Sequence, residues 1–249
     1  HHKVRWIVLA ALLACTIVWA AEDSASGQWE ATVLFTHDLH SHFLPQRTEE
    51  GGESGGYARL MTALDRERAN HPDALVVDGG DFTVGSLFQA LSASQAAELR
   101  TMGAMGYDVC TAGNHEFDTG GTGFAQMLNA ATLSGDRVPA LVMANYKPST
   151  DNPDQLDIQR SMSAYGSKEY VLLERGGVTY GIFGLMGQDA NDCAPASGFM
   201  LEDPIAAAQR CVAALEGQGA DVIICLSHGG TNEKEKRSED QQLARQVEG

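Results

Sequence analysis

Positive charge is scarce in this sequence. Lys and Arg number 17 against 33 Asp and Glu, a formal charge of −16 over 249 residues. A polyanion meets repulsion over most of such a surface, which argues against a protein that coats nucleic acid. If the chain handles phosphates, its positive centre should be bound metal rather than a basic patch. Thiols at metal-binding spacing are also missing: Cys110, Cys193, Cys211 and Cys225 form no CxxC pair, so a cysteine-ligated zinc site is not expected. Cys110 and Cys225 lie in apolar strand-like runs and read as small buried hydrophobes. Cys193 and Cys211 are open to a disulfide if the protein is exported. No internal repeat occurs. With 43% hydrophobic residues, the chain can bury a sizeable core, and its length suits one large α/β domain.

Residues 3–21 read as an export signal. Lys3 and Arg5 make a basic start, residues 6–14 are an unbroken apolar run, and Ala20 and Ala21 offer a cleavage site before the polar residues 22–24. The apolar stretch 6–21 falls short of the roughly 20 residues that a membrane span needs. The segment 12–15, ending at Cys15, is a poor lipoprotein box because Leu13 occupies its middle. His1 and His2 look like a tag remnant or an incomplete start. The expected organisation is a signal over 1–21, a linker over 22–30 and one catalytic domain over 31–249. The mature protein is then secreted, periplasmic or at the cell surface, with no stable membrane insertion.

Apolar runs predict strands at 31–36, 74–77, 108–111, 140–143 and 221–226, and a hairpin of strands 169–173 and 178–184 about Arg175-Gly176-Gly177. Helices are expected over 56–70, 92–105, 123–131 and 204–216, with Pro204 in a first turn. Residues 147–166 read as a polar surface excursion, and 233–245 as a charged helix with a solvated face. Alternating strands and helices imply a parallel sheet under helices, with antiparallel pairing added by the hairpin.

Metal-ligating residue types fall just after strands. Asp38 and His40 follow the first, Asp78 and Asp81 the second, Asn114, His115, Glu116 and Asp118 the third, and His228 the last. Open α/β sheets place their sites at these carboxyl ends. In an extended segment the period of two points Asp38 and His40 the same way. Oxygen and imidazole donors without thiolate suit Zn²⁺, Mn²⁺ or Fe, and a carboxylate such as Asp81 can bridge two ions roughly 3.5–4 Å apart. Asp78 reads equally as a strand-end cap or as an acceptor that orients a histidine. His42 reads as a loop histidine, His71 as a turn residue, and Phe82 and Phe117 as core or pocket wall.

The ordered segments 38–40, 80–81, 113–116 and 227–228 resemble the motifs of calcineurin-like metallophosphoesterases. Residues 113–118 are similar to the branch of 5′-nucleotidases, UDP-sugar hydrolases and 2′,3′-cyclic-nucleotide phosphodiesterases. That resemblance implies a four-layer α/β/β/α sandwich with two divalent metal ions (Zn, Mn or Fe). Asp38 and His40 would bind the first ion, Asn114 and His228 the second, and Asp81 both. His115 would be the catalytic histidine outside the ligand set, oriented by Asp118, and Glu116 a structural hydrogen-bond partner. The implied substrate is a small-molecule nucleotide or other phosphate ester; cyclic nucleotides, UDP-sugars, non-nucleotide esters and an inactive metal-binding fragment are the alternatives. Two departures stand out. His37 occupies a place where the family usually has Asn, and no closing Gly-His-x-His precedes Gly249. The resemblance therefore implies a catalytic domain cut short of its last ligands and of the substrate domain.

Overall fold

A computed structural model describes residues 30–150 and 155–249. The expected signal, and the expected linker up to residue 29, lie outside the described residues. From Thr32 to Gly249 the chain forms one compact unit. Among the described residues no helix is long and apolar enough to cross a membrane.

Two sheets organise the unit. The first runs in the order β1 (Val33–Thr36), β4 (Leu75–Asp78), β5 (Val109–Cys110) and β6 (Ala140–Leu141), all parallel. β2 (Gln46–Arg47) and β3 (Glu53–Ser54) form a small separate hairpin between β1 and β4 in the chain. The second sheet has β9 (Val178–Met186) at its centre, with β8 (Tyr170–Arg175) antiparallel on one side and β11 (Val222–His228) parallel on the other. Gly176 and Gly177, at φ 59° and 79°, turn β8 into β9, the left-handed pair that matches strand twist in a two-residue hairpin.

The alternation of side chains along β4 explains the layers. Leu75 and Val77 point between the sheets, where they meet Val109, Val142, Tyr180, Ile182 and Leu226. Val76 faces the other way, into the core shared with helices α1 (Tyr57–Asn70), α3 (Ala97–Ala104) and α4 (Gly120–Ser134). Both faces are covered, so β4 is buried along its whole length. On the far side of the second sheet, Phe183 and Leu185 pack against Ala207, Ala208, Cys211 and Leu215 of α7 (Pro204–Gly217). Asp203 caps that helix by accepting from Ala206 N at 2.8 Å. Helices, sheet, sheet and helix make the four layers.

Several expectations are corrected. The helix predicted over 92–105 breaks into α2 (Ser92–Gln95) and α3 because Ala96 sits in the left-handed region at φ 48°. The excursion expected over 147–166 contains β7 (Tyr146–Pro148) and α5 (Leu156–Tyr165), with Ile158 buried in the helical-layer core. β7 pairs with β10 (Phe199–Leu201), which follows the short helix α6 (Gln188–Asp192). The charged stretch 233–245 is helical only in its second part, α8 (Glu239–Gln246); most of it is exposed as expected, but Glu239 and Asp240 turn inward. Cys193 and Cys211 are free thiols. The first is exposed and the second buried within α7, so the disulfide is not formed.

Candidate metal centre

Four loops, after β1, β4, β5 and β11, meet at one end of the two sheets. Backbone hydrogen bonds fasten the first to the second: Asp38 N to Gly80 O at 2.9 Å, His40 N to Asp81 O at 3.0 Å and Ser41 N to Phe82 O at 2.9 Å. Asp38, His40 and Asp81 all adopt left-handed backbone, at φ 54°, 45° and 56°. Such residues cost on the order of 1–3 kcal/mol each and persist where the surroundings over-determine them. Two glycines make the close approach possible. A Cβ on Gly80 would lie 2.5 Å from Gly113 N, and one on Gly113 would lie 2.2 Å from Asp81 Oδ1 and 2.5 Å from His228 Cε1.

Two histidines present the same face to the centre. His40 Nδ1 lies 3.2 Å from the Thr83 carbonyl, and His228 Nδ1 lies 2.8 Å from the Gly79 carbonyl. A carbonyl only accepts, so each Nδ1 carries the hydrogen and leaves Nε2 for the centre. There His40 Nε2 stands 3.3 Å from Asp38 Oδ1, and His228 Nε2 stands 3.3 Å from both Asp81 Oδ2 and Asn114 Oδ1. A bare imidazole lone pair facing carboxylate and amide oxygens calls for a proton or a cation between them. This donor chemistry fits divalent metal. Without metal the proton serves: burial disfavours the His228 cation, but Asp81 outweighs it and lifts the pKa to about 9. Burial likewise opposes ionised Asp81, yet His228 and the His115 N–H together hold its carboxyl below the ordinary value.

His115 joins from the third loop. Its backbone N–H donates to Asp81 Oδ1 at 2.8 Å, its Nδ1 meets Asp118 Oδ1 at 3.1 Å, and its ring stands edge-on to His40 at 5.1 Å. Among the described residues, donor atoms of His40, Asp81 and His115 lie within 4.8 Å of one another. The family pattern leaves His115 outside the ligand set; the geometry puts it within reach of a shared ion as well. Asp38, His40, Asp81, Asn114, His115 and His228 are thus linked by short contacts into one cluster.

The remaining residues sort themselves by partner. Glu116 is buried and accepts from Asp81 N (2.9 Å), Thr83 N (3.0 Å), Thr83 Oγ1 (3.0 Å) and Gly113 N (2.6 Å), so it braces two loops. Asp78 accepts from Gly80 N at 2.9 Å and Thr36 Oγ1 at 2.6 Å, the strand-end cap of its two readings. His37 turns Nδ1 onto Asp38 Oδ2 and lies against the Phe35 ring. His42 lines a groove of about 530 Å³ with Asp38, Tyr57 and Arg59. His71 meets Thr32 Oγ1 at 3.2 Å just after α1. Phe82 and Phe117 are core. Unforeseen from sequence is Glu98 of α3, wholly buried, which accepts from Ser41 Oγ at 2.6 Å and Ser92 Oγ at 2.7 Å. Nothing in its local sequence marks it, since both partners are distant or in the preceding turn.

Comparison with known proteins agrees with this geometry. Residues 31–247 match the family model for calcineurin-like phosphoesterase. The chain is 32% identical over 223 residues to a probable 5′-nucleotidase of Treponema pallidum (strain Nichols), covering 84% of this chain and 34% of that protein. It is 32% identical over 215 residues to the 5′-nucleotidase of Homo sapiens, covering 83% and 35%. The crystal structure of a 5′-nucleotidase precursor from Thermus thermophilus superposes with a TM-score of 0.69 at 29% identity, over 86% of this chain and 39% of that one. The chain therefore spans about a third of the length of the curated relatives it matches. With its motifs in order on four strand ends and a family match over nearly all the described residues, the chain belongs to the calcineurin-like phosphoesterase family.

Proposed function

We propose that the protein is an exported phosphoesterase that hydrolyses nucleotide phosphate esters at a two-metal centre. The observation that carries this reading is the orientation of His40 and His228, whose Nε2 atoms face Asp38, Asp81 and Asn114. Asp38 and His40 form one half of the donor set, Asn114 and His228 the other, and Asp81 stands between them. Two bound divalent cations would supply charge neutralisation for phosphate oxygens and acidify water near neutral pH. The names of the relatives support nucleotides as the substrate class.

The chain's own residues divide the remaining work. Asp118 accepts the Nδ1 hydrogen of His115 and fixes the ring, so Nε2 is the atom free to face substrate. As the phosphorus–oxygen bond of the ester breaks and water oxygen takes its place, His115, entering the step protonated on both ring nitrogens, gives its Nε2 proton to the departing alcohol and ends neutral, while the protons of the attacking water stay with the phosphate. Glu116 holds the loops of Asp81 and Gly113 at fixed separation. The strained turns at Asp38, His40 and Asp81 keep the donors aimed before substrate arrives.

The test is phosphate release from AMP by purified protein supplied with Mn²⁺ or Zn²⁺, beside metal analysis of the same sample. Metal-dependent release is expected. Inactivity toward AMP and a broad ester panel, with metal present, would overturn the assignment.

A further inference from the structure

The structure assigns to Asp240 of α8 the role of a positioning residue for His228; this rests on the reading of His228 as a ligand. Asp240 grips the turn on both sides of the histidine. Its Oδ1 accepts from Ser227 Oγ at 2.6 Å, its Oδ2 accepts from Gly230 N at 3.2 Å, and its own N–H returns a bond to Gly230 O at 3.1 Å. His228 is left between two fixed points. The neighbouring Glu239 completes the clamp, accepting from Gln188 N at 2.8 Å, while Gly187 N donates to His228 O at 3.0 Å. The junction has no spare room. A Cβ on Gly229 would lie 3.1 Å from Asp240 Oδ1, and one on Gly187 would lie 2.0 Å from Glu239 Oε2 and 2.5 Å from Gly229 Cα.

The arrangement matters because α8 holds the turn 228–230 on both sides of His228, through Ser227 and through Gly230. His228 approaches Asp81 through Nε2 while Nδ1 holds Gly79 O, and both distances follow from where that turn is held. Asp240 touches no donor of the centre, so it acts through His228 alone. Outer partners that orient ligands typically change metal affinity by about 10- to 100-fold when removed.

The test is calorimetric titration of metal-free protein with Zn²⁺, with bound metal counted by elemental analysis, for wild type, Asp240→Ala, Asp240→Asn and the exposed control Gln241→Ala. Expected in Asp240→Ala is one binding step weakened at least about tenfold with the other within about twofold. Asp240→Asn, which keeps one acceptor oxygen, should recover part of the loss, and Gln241→Ala should match wild type. Ser227→Ala removes the same hydroxyl contact without touching α8, and it should weaken the same step if Asp240→Ala fails to fold. Unchanged affinity in folded Asp240→Ala, or in Ser227→Ala, overturns the role. So does equal weakening of both steps. Failure of wild type to take up two ions overturns the two-metal reading itself and the inference with it.

Discussion

Glu116 and Gly113 are joined by a 2.6 Å hydrogen bond in which a buried carboxylate accepts a backbone N–H three residues before it. The same carboxylate reaches back to Asp81 N and Thr83 N, so two loops from different strands share one anchor. Burial, then the charge of Asp81, push its pKa up, and the three backbone donors favour the ionised form. Glu116→Gln replaces one acceptor oxygen with a donor that would face N–H groups. A stability loss of about 2–4 kcal/mol in denaturant unfolding is expected, since an unpaired buried polar group costs about 1–3 kcal/mol and more when charge is involved. Wild-type stability in this variant would remove Glu116 from the bracing role.

Gly113 offers a harder constraint. Its missing side chain is the space occupied by Asp81 Oδ1 and His228. Gly113→Ala should lower metal affinity well beyond tenfold even where the protein still folds, because neither neighbour can withdraw without leaving the centre. Titration of a folded Gly113→Ala protein with native affinity would contradict the packing described.

His115 carries two readings that metal counting can separate. As the proton donor, His115→Ala should reduce turnover of AMP by about 10²-fold or more with metal stoichiometry intact. As a ligand sharing an ion with His40 and Asp81, its loss should also cost bound metal. Asp118→Asn, which disturbs only the ring's orientation, should lower turnover without lowering metal content.

Asp78 predicts a pH effect on stability in metal-free protein. Burial raises its pKa to about 7 from 3.8, against the opposing bonds of Thr36 and Gly80. The folded state therefore binds this proton more tightly than the unfolded one. Its stabilising share is full below about pH 4 and is lost as pH rises toward about 7, by on the order of 4 kcal/mol at most. Urea unfolding in chelator at pH 4.5 and 7.5 measures the slope. Asp78→Asn should flatten it, and an unchanged slope would show that Asp78 ionises freely in the fold.

The four candidate strand ends are legible because each couples an apolar run to a hard donor within a few residues, with glycine beside three of them. Asp38, Asp81, Asn114 and His228 stand out through the order of these segments along the chain, which resembles the family pattern. What was not legible depends on partners far along the chain. The choice of Nε2 over Nδ1 in His228 is made by Gly79, 149 residues away. Glu98 finds Ser41 across 57 residues, and the break at Ala96 answers packing rather than propensity, since alanine is the best helix former. The stretch 233–245 reads as solvated because charged residues dominate its composition, and most of it is exposed, while Glu239 and Asp240 bind inward across the chain.

His228 belongs to the second sheet, and the carbonyl that fixes its ring belongs to the loop after β4 of the first. The two halves of the sandwich are thus stitched together at the very point where the donors gather. A chain whose sheets have not yet come face to face keeps His228 apart from the donors of the first sheet, so cation uptake should trail their docking in folding and, once achieved, resist their sliding apart.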